Sequence, residues 1–282
     1  MDATRPLNEQ MAAEAFNRQS AVFDSLYSGD TIIQYKRARV RDHVNVFLKP
    51  KSFILELNAG TGEDAAYFAR NGHNVHATDI AAGMQLQLKE KVINAGLQEH
   101  VTTEVCSFTD LNNLRQRGPY DLVFSNFAGL NCTGELETVL TQLPALVKPG
   151  GLITLVILPK FCLWETMLML KGKFKTATRR FFNKDGAQSH VEGTYFKCYY
   201  YDPGFIIRRL KKSFQPVSLE GLCTIVPPSY MHGFAEKHPK LFQLLVKQEN
   251  RLKNKWPWKY IGDYYILTMK KNNPSTDASA IG

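Results

Sequence analysis

From residue 53 to residue 158 the chain repeats one unit: a short apolar run, a turn, and a stretch of helix length. Residues 53–57, 74–79, 101–106, 120–125 and 152–158 read as strands. The stretches ending near Arg70, spanning 82–95 and spanning 135–147 read as helices. Asn71-Gly72, Gly96 and Lys148-Pro149-Gly150-Gly151 punctuate their ends. Strands joined through helices pair in parallel, and their crossovers cover both faces of the sheet. The expected fold class is α/β, with a doubly wound and mostly parallel sheet.

The unit fails after Leu158. Residues 159–201 hold an apolar stretch with Trp164, then Lys171-Gly-Lys-Phe-Lys175, Arg179-Arg180 and an aromatic cluster at 195–201. The rhythm resumes with a helix over 203–213, a strand over 217–225, a helix over 239–254 and a strand over 264–269. The expected division is a helical arm (1–50), a core (51–158), an insertion (159–201), the remainder of the core (202–271) and a polar, disordered tail (272–282).

The net charge of +9 is unevenly placed, with balances of −3 over 1–158, +8 over 159–212 and +4 over 213–282. A basic face is expected in the middle segment, open to solvent, an anionic substrate, an anionic membrane or nucleic acid. A composition 44% hydrophobic and 22% charged excludes collagenous, coiled-coil and wholly disordered classes. No apolar run reaches the roughly 18 residues of a membrane-spanning helix. The start MDATRPLNEQ lacks the order of a secretory signal. The five scattered cysteines fit neither a disulfide framework nor a zinc site. The expectation is a reduced, cytoplasmic protein without a metal.

Chemistry concentrates at Glu56-Leu-Asn58-Ala59-Gly60-Thr-Gly62, a turn between a strand and a helix. Gly60 and Gly62 let backbone approach a ligand closely, and ligands of open α/β sheets bind beyond the carboxyl ends of the strands. Asp79, at the end of the next strand, has the place of a carboxylate that accepts bonds from ribose hydroxyls. The loop is not the G-x-G-x-x-G of dinucleotide sites and has no phosphate-binding lysine.

The order of elements and the E-x-N-x-G-x-G loop resemble the class I S-adenosylmethionine-dependent methyltransferases, in the branch acting on small molecules and quinone-like lipids. The resemblance covers roughly residues 20 to 158. Thr78-Asp79-Ile80 matches the ribose-binding strand end, and Ser107-Phe108 the position flanking adenine. Ser125-Asn126-Phe127-Ala128-Gly129 matches the fourth-strand motif, and Lys148-Pro-Gly-Gly151 the turn before strand five. Two departures stand out: Asn58 replaces the commoner first glycine, and Ser107 replaces an acid that often meets the adenine amine.

The resemblance implies a Rossmann-like sheet of seven strands with an N-terminal helical arm and a lid after strand five. It implies S-adenosyl-L-methionine as cofactor and S-adenosyl-L-homocysteine as product. Gly60 and nearby Ala59, Gly62 and Asn58 would face the methionine part, with Glu56 orienting the loop or capping a helix. Ile80 and Met84 would pack on adenine or in the core. Asn126 and Phe127 would lie near the activated methyl, and Tyr27 near the cofactor carboxylate or the substrate. Candidate bases in or after the insertion are His190, His232, Glu165 and Tyr230, with Trp164, Arg179 and Arg180 as substrate contacts, against structural or solvent-facing roles for the same residues. The implied reaction is in-line methyl transfer to oxygen or carbon of a small or lipophilic metabolite. A non-catalytic cofactor-binding scaffold and an RNA methyltransferase remain as alternatives. Against the latter, Ser125-Asn-Phe-Ala lacks the Asn/Asp-Pro-Pro-aromatic run of amino-directed enzymes.

Overall fold

The computed structural model describes residues 6–182 and 185–273. Three helices form the arm: α1 (Leu7–Gln19), α2 (Phe23–Tyr27) and α3 (Thr31–Asn45). The alternating region follows as β1 (Phe53–Leu57), α4 (Glu63–Arg70), β2 (Asn74–Asp79), α5 (Ala82–Asn94), β3 (Val101–Val105), β4 (Tyr120–Ser125), α6 (Leu136–Leu146) and β5 (Val147–Ile157). The insertion contains α7 (Leu163–Met167), α8 (Phe174–Phe182) and a hairpin of β6 (Ala187–Val191) with β7 (Thr194–Cys198). The chain closes with α9 (Pro203–Leu210), β8 (Phe214–Leu222), α10 (Phe234–Lys237), α11 (Pro239–Leu252) and β9 (Tyr264–Lys271).

The main sheet has seven strands in the order β3-β2-β1-β4-β5-β9-β8, and β9 runs antiparallel to both neighbours. Alternation along the strands explains the layers. Leu55, Leu57, Val123, Ile153 and Leu155 face one side, where α6 and α9 bring Leu140, Leu143, Ile206 and Leu210. Ile54, Val75, Leu122, Phe124 and Ile266 face the other, against Val40 of α3, Phe68 of α4 and Leu88 of α5. The expected doubly wound architecture is present.

Three local differences have simple causes. The last parallel strand begins at Phe214 rather than 217, because β8 is an edge strand and tolerates Pro216 at a register shift. The turn at 148–151 is absorbed into β5, with Gly150 at φ 71. The hairpin in the insertion turns through Glu192 (φ 44) and Gly193 (φ 75), a weaker sequence signal than Asn-Gly. In the expected tail, Asn272 bonds through its backbone N–H to the Ser213 carbonyl, whereas residues 274–282 lie outside the described residues.

Candidate functional site

A cavity of ≈ 320 Å³ opens over the carboxyl ends of the central strands, roofed by the arm. Its floor is the turn after β1. Gly60 has φ +56, and a side chain there would point into open space. Gly62 (φ +79) serves packing instead, since a Cβ would meet Leu88 Cγ at 2.5 Å. Asp79 shapes the loop: its Oδ2 accepts the Gly60 N–H at 2.9 Å and its Oδ1 the Ala81 N–H at 2.8 Å. Burial pushes the Asp79 carboxyl up, and backbone N–H groups of Ala81, Gly60 and Ile80 oppose that push.

Asn58 explains its departure from glycine. It takes a left-handed φ of 47, and its Nδ2 donates to the Asn126 carbonyl at 2.9 Å. Its Oδ1 accepts from Ser125 Oγ at 2.6 Å. The amide therefore ties the β1 turn to the end of β4, where Phe127 (φ 49) and Ala128 (φ 61) hold consecutive left-handed conformations. Such strain persists only where surrounding bonds impose it. Here Asn126 Oδ1 accepts the Phe127 N–H at 2.8 Å, and Asn126 Nδ2 donates to Asp64 at 2.8 Å.

Glu56 is buried, and its Oε2 makes no hydrogen bond. Burial, then the neighbouring Asp64, push its carboxyl well above the ordinary range, against the pull of Arg37 and Arg41. Those arginines are engaged by Asp64, Arg37 at 2.9 Å and Arg41 at 2.7 Å. A buried acceptor without a donor fits a ligand that brings an ammonium group. Together with the open cradle at Gly60 and the carboxylate of Asp79, it makes the donor set suitable for S-adenosylmethionine.

Of the expected cofactor residues, Tyr27, Glu56, Asn58, Ala59, Gly60, Asp79, Ile80, Met84, Phe108, Asn126 and Phe127 all line the cavity. Ser107 does not. Its hydroxyl donates to Glu9, which also accepts from Thr109 Oγ1 at 2.8 Å. Glu9 lines the cavity beside Phe108 and Met84, so a carboxylate from the arm reaches the place where an acid at 107 was missing. Glu9, Ala12, Ala13 and Phe16 form one face of α1 at helical spacing, a signal present in the sequence. Lys36, Ser229 and Tyr264 also line the cavity, brought from three distant segments.

The candidate bases and substrate contacts are placed elsewhere. Glu165 is buried and receives Arg179 at 2.6 Å and Arg180 at 2.7 Å. Burial alone would raise its carboxyl, but the two guanidiniums carry it below the ordinary range. Arg180 also binds Asp263 at 2.6 Å. His190 and His232 are exposed, and His190 packs on Tyr195 at 4.5 Å. Tyr230 is exposed at the surface, and Trp164 lies within the insertion with its indole N–H buried and unbonded. None of His190, His232, Glu165, Tyr230, Trp164, Arg179 or Arg180 lines the cavity, nor does any described residue of 159–201.

The insertion instead supports the arm. The Lys197 N–H donates to Asn8 Oδ1 at 2.5 Å, Asn8 Nδ2 donates back to the Lys197 carbonyl at 3.0 Å, and Phe16 meets Phe196 at 5.9 Å. Among the described residues, Cys162, Glu165 and Asp263 have metal-ligand spacing. Arg180 occupies both carboxylates, and burial pushes the Cys162 thiol up to about 12.

A family described as "Methyltransferase domain" matches residues 54–151. No curated protein matches the chain. Among solved structures, the [4+2]-cyclase SpnF aligns at 16% identity over 95% of this chain and 98% of its own, with a TM-score of 0.61. Geranyl diphosphate C-methyltransferase from Streptomyces coelicolor, solved with Mg2+, geranyl diphosphate and S-adenosyl-L-homocysteine, aligns at 11% over 96% and 100% (TM-score 0.60). The 1,6-didemethyltoxoflavin-N1-methyltransferase of Burkholderia thailandensis aligns at 15% over 97% and 94% (TM-score 0.55). At these identities the neighbours speak for the fold. The methyltransferase-domain match spans the turn, the strand ends and the cavity floor, and the fold around it is the one these S-adenosylmethionine-dependent methyltransferase structures share.

Proposed function

We propose that the chain methylates oxygen or carbon of a small or lipophilic metabolite by direct in-line displacement beneath the N-terminal arm. The observation that carries the reading is a pair of carboxylates, buried Glu56 and half-buried Asp79, facing one cavity at the head of the Gly60 turn. Asp79 is assigned the ribose hydroxyls and Glu56 the ammonium of the methionine part. Ile80, Met84 and Phe108 take the adenine faces, and Glu9 takes the adenine amine. When bound, the cofactor supplies a methyl group already activated on a sulfonium.

The chain's own task is then positioning and exclusion of water. Latches from the arm serve both. Asp24 Oδ1 accepts from Thr61 Oγ1 in the turn at 2.6 Å, and Asn17 Oδ1 accepts the Gly83 N–H at 2.7 Å. The 159–201 insertion acts as a buttress for α1, so the lid function expected of it passes to the arm.

Calorimetric titration with S-adenosylhomocysteine, followed by acceptor screening with labelled S-adenosylmethionine, tests the reading. Micromolar binding and label transfer are expected; absence of binding overturns the cofactor site. Peripheral membrane contact is favoured by exposed Leu170 and Phe174 beside exposed Lys171, Lys173 and Lys175. Co-sedimentation with phosphatidylserine vesicles and not with phosphatidylcholine vesicles is the expected outcome. No helix among the described residues is long and apolar enough to cross a membrane.

A further inference from the structure

The far wall of the cavity holds a lysine with no carboxylate. Lys36 on α3 is 3% exposed, yet its ammonium has one hydrogen-bond partner, the neutral Ser229 Oγ at 3.1 Å. It lies over the rings of Tyr264 (4.9 Å to the centroid) and Phe127 (5.4 Å). Among the described residues it forms no ion pair. An ammonium carries three donors, so two remain for whatever enters the cavity. Ring faces offset part of the cost of burying a cation but accept no N–H in the manner of an oxygen. A buried charge without its counterion is costly, and evolved sites keep one where a ligand brings the opposite sign.

We propose that Lys36 and Ser229 bind an oxyanion of the methyl acceptor, and that the acceptor is a monoanionic molecule seated in the cavity against the wall that carries Phe127 and Tyr264. This rests on the methyltransferase reading above and adds the class of acceptor.

Strand order separates this wall from the cofactor. The ribose site, Asp79, ends β2, whereas Tyr264 begins β9, four strands along the sheet. At roughly 4.8 Å per strand that is about 19 Å. Phe127, after β4, lies between the two. Lys36 thus faces the side of the strained β4 turn opposite to the Gly60 loop.

The wall is also built to stay in place. Ser229 follows a loop whose Cys223, Thr224, Ile225 and Val226 N–H groups all donate to the buried Glu249 carboxylate at 2.9 Å. The same carboxylate accepts from Tyr35 OH at 2.8 Å, one residue before Lys36. One buried acid therefore joins the two segments that present Lys36 and Ser229.

The absence of the expected bases from the cavity lining has a use here. When the ionised oxygen is itself the methylated atom, the S–CH3 bond breaks as the O–CH3 bond forms and no proton is released, so this wall needs a cation and not a histidine.

The test compares benzoate with its neutral isostere benzamide, titrated into the full chain with and without saturating S-adenosylhomocysteine. Benzoate is expected to bind about tenfold tighter or better, and Lys36→Met to bring the two within about twofold. Lys36→Arg is expected to restore part of the preference. S-adenosylhomocysteine affinity is titrated separately for each variant and is expected to stay within about threefold of the wild type. Equal affinities in the wild type, or no benzoate binding, overturn the proposal without any variant having to fold. Loss of S-adenosylhomocysteine affinity in Lys36→Met also overturns it, placing Lys36 on the cofactor carboxylate. Failure of the wild type to bind S-adenosylhomocysteine counts against the cofactor reading alone, since the benzoate preference is read independently.

Discussion

Two groups of carboxylates in this molecule face opposite electrostatic fates. In the cavity, Glu56 and Asp79 are pushed up by burial, and Glu56 keeps an oxygen with no donor. In the scaffold, burial would raise Glu220 and Glu165 as well, but cations outweigh it. His43, Lys253 and Arg39 carry Glu220 down to about 2, and Arg179 with Arg180 lower Glu165. In the scaffold the cations outweigh desolvation, whereas in the cavity desolvation outweighs the groups that oppose it. The difference separates the proposed binding site from an ion-pair network without reference to any relative.

The largest break in that comparison is expected from Arg180→Met. It strands Asp263 in the interior and leaves Glu165 to Arg179 alone, and removing one partner of a buried network typically costs about 3–5 kcal/mol. Chemical denaturation reads the loss, while S-adenosylhomocysteine affinity of the folded fraction should be unchanged. A change of less than about 1 kcal/mol in stability contradicts the assignment of Arg180 to the scaffold. Asp79→Asn should behave the other way. Affinity for S-adenosylhomocysteine falls by about 1.5–3 kcal/mol, roughly tenfold to a hundredfold, with the unfolding midpoint unmoved or raised. Unchanged affinity removes Asp79 from the ribose.

Sequence patterning exposed one side of the comparison far better than the other. The strand period, the Gly60 turn and Asp79 are local, so they were legible along the chain. The scaffold network is not: Glu165, Arg180 and Asp263 meet only because α7, α8 and the start of β9 pack together, and in sequence Glu165 looks like a base and Arg180 like a substrate contact. Glu9, Lys36 and Ser229 stayed hidden for the same reason. Each needs a contact between segments separated by about 100 residues or more, such as Glu9 with Ser107 or Lys36 with Ser229. The departure at Ser107 was visible, but its answer lay on the arm.

Titration with acid and base should separate the two groups in sign. The Glu220 pKa lies below its unfolded value of about 4.3, so its contribution is complete above that pH and is lost as pH falls toward 2. Glu220→Gln should remove this acid-side slope. Glu56 is raised, so its contribution runs the opposite way and stability drains as pH climbs from about 4.3 through the folded value. Glu56→Gln is therefore expected to gain about 1 kcal/mol at neutral pH while weakening S-adenosylhomocysteine binding. Saturating ligand should shrink the stability difference, and a variant less stable at every pH refutes the uncompensated charge.

The smallest expected effect tests the neutral seam between the two regions. Helix α5 begins after Ala81, which has no side chain to cap it, and Asn17 of α1 supplies the missing acceptor to the Gly83 N–H. A cap borrowed from another element joins the stability of the α5 terminus to closure of the arm. Asn17→Ala should cost about 0.5–1 kcal/mol, the low end for a lost cap, because the bond is exposed. Hydrogen exchange at Gly83 is expected to accelerate together with exchange in α1, and S-adenosylhomocysteine should slow both. Faster exchange at Gly83 with α1 unaffected would show that the arm closes independently of this bond. The coupling would then rest on Asp24 and Thr61 at the glycine turn.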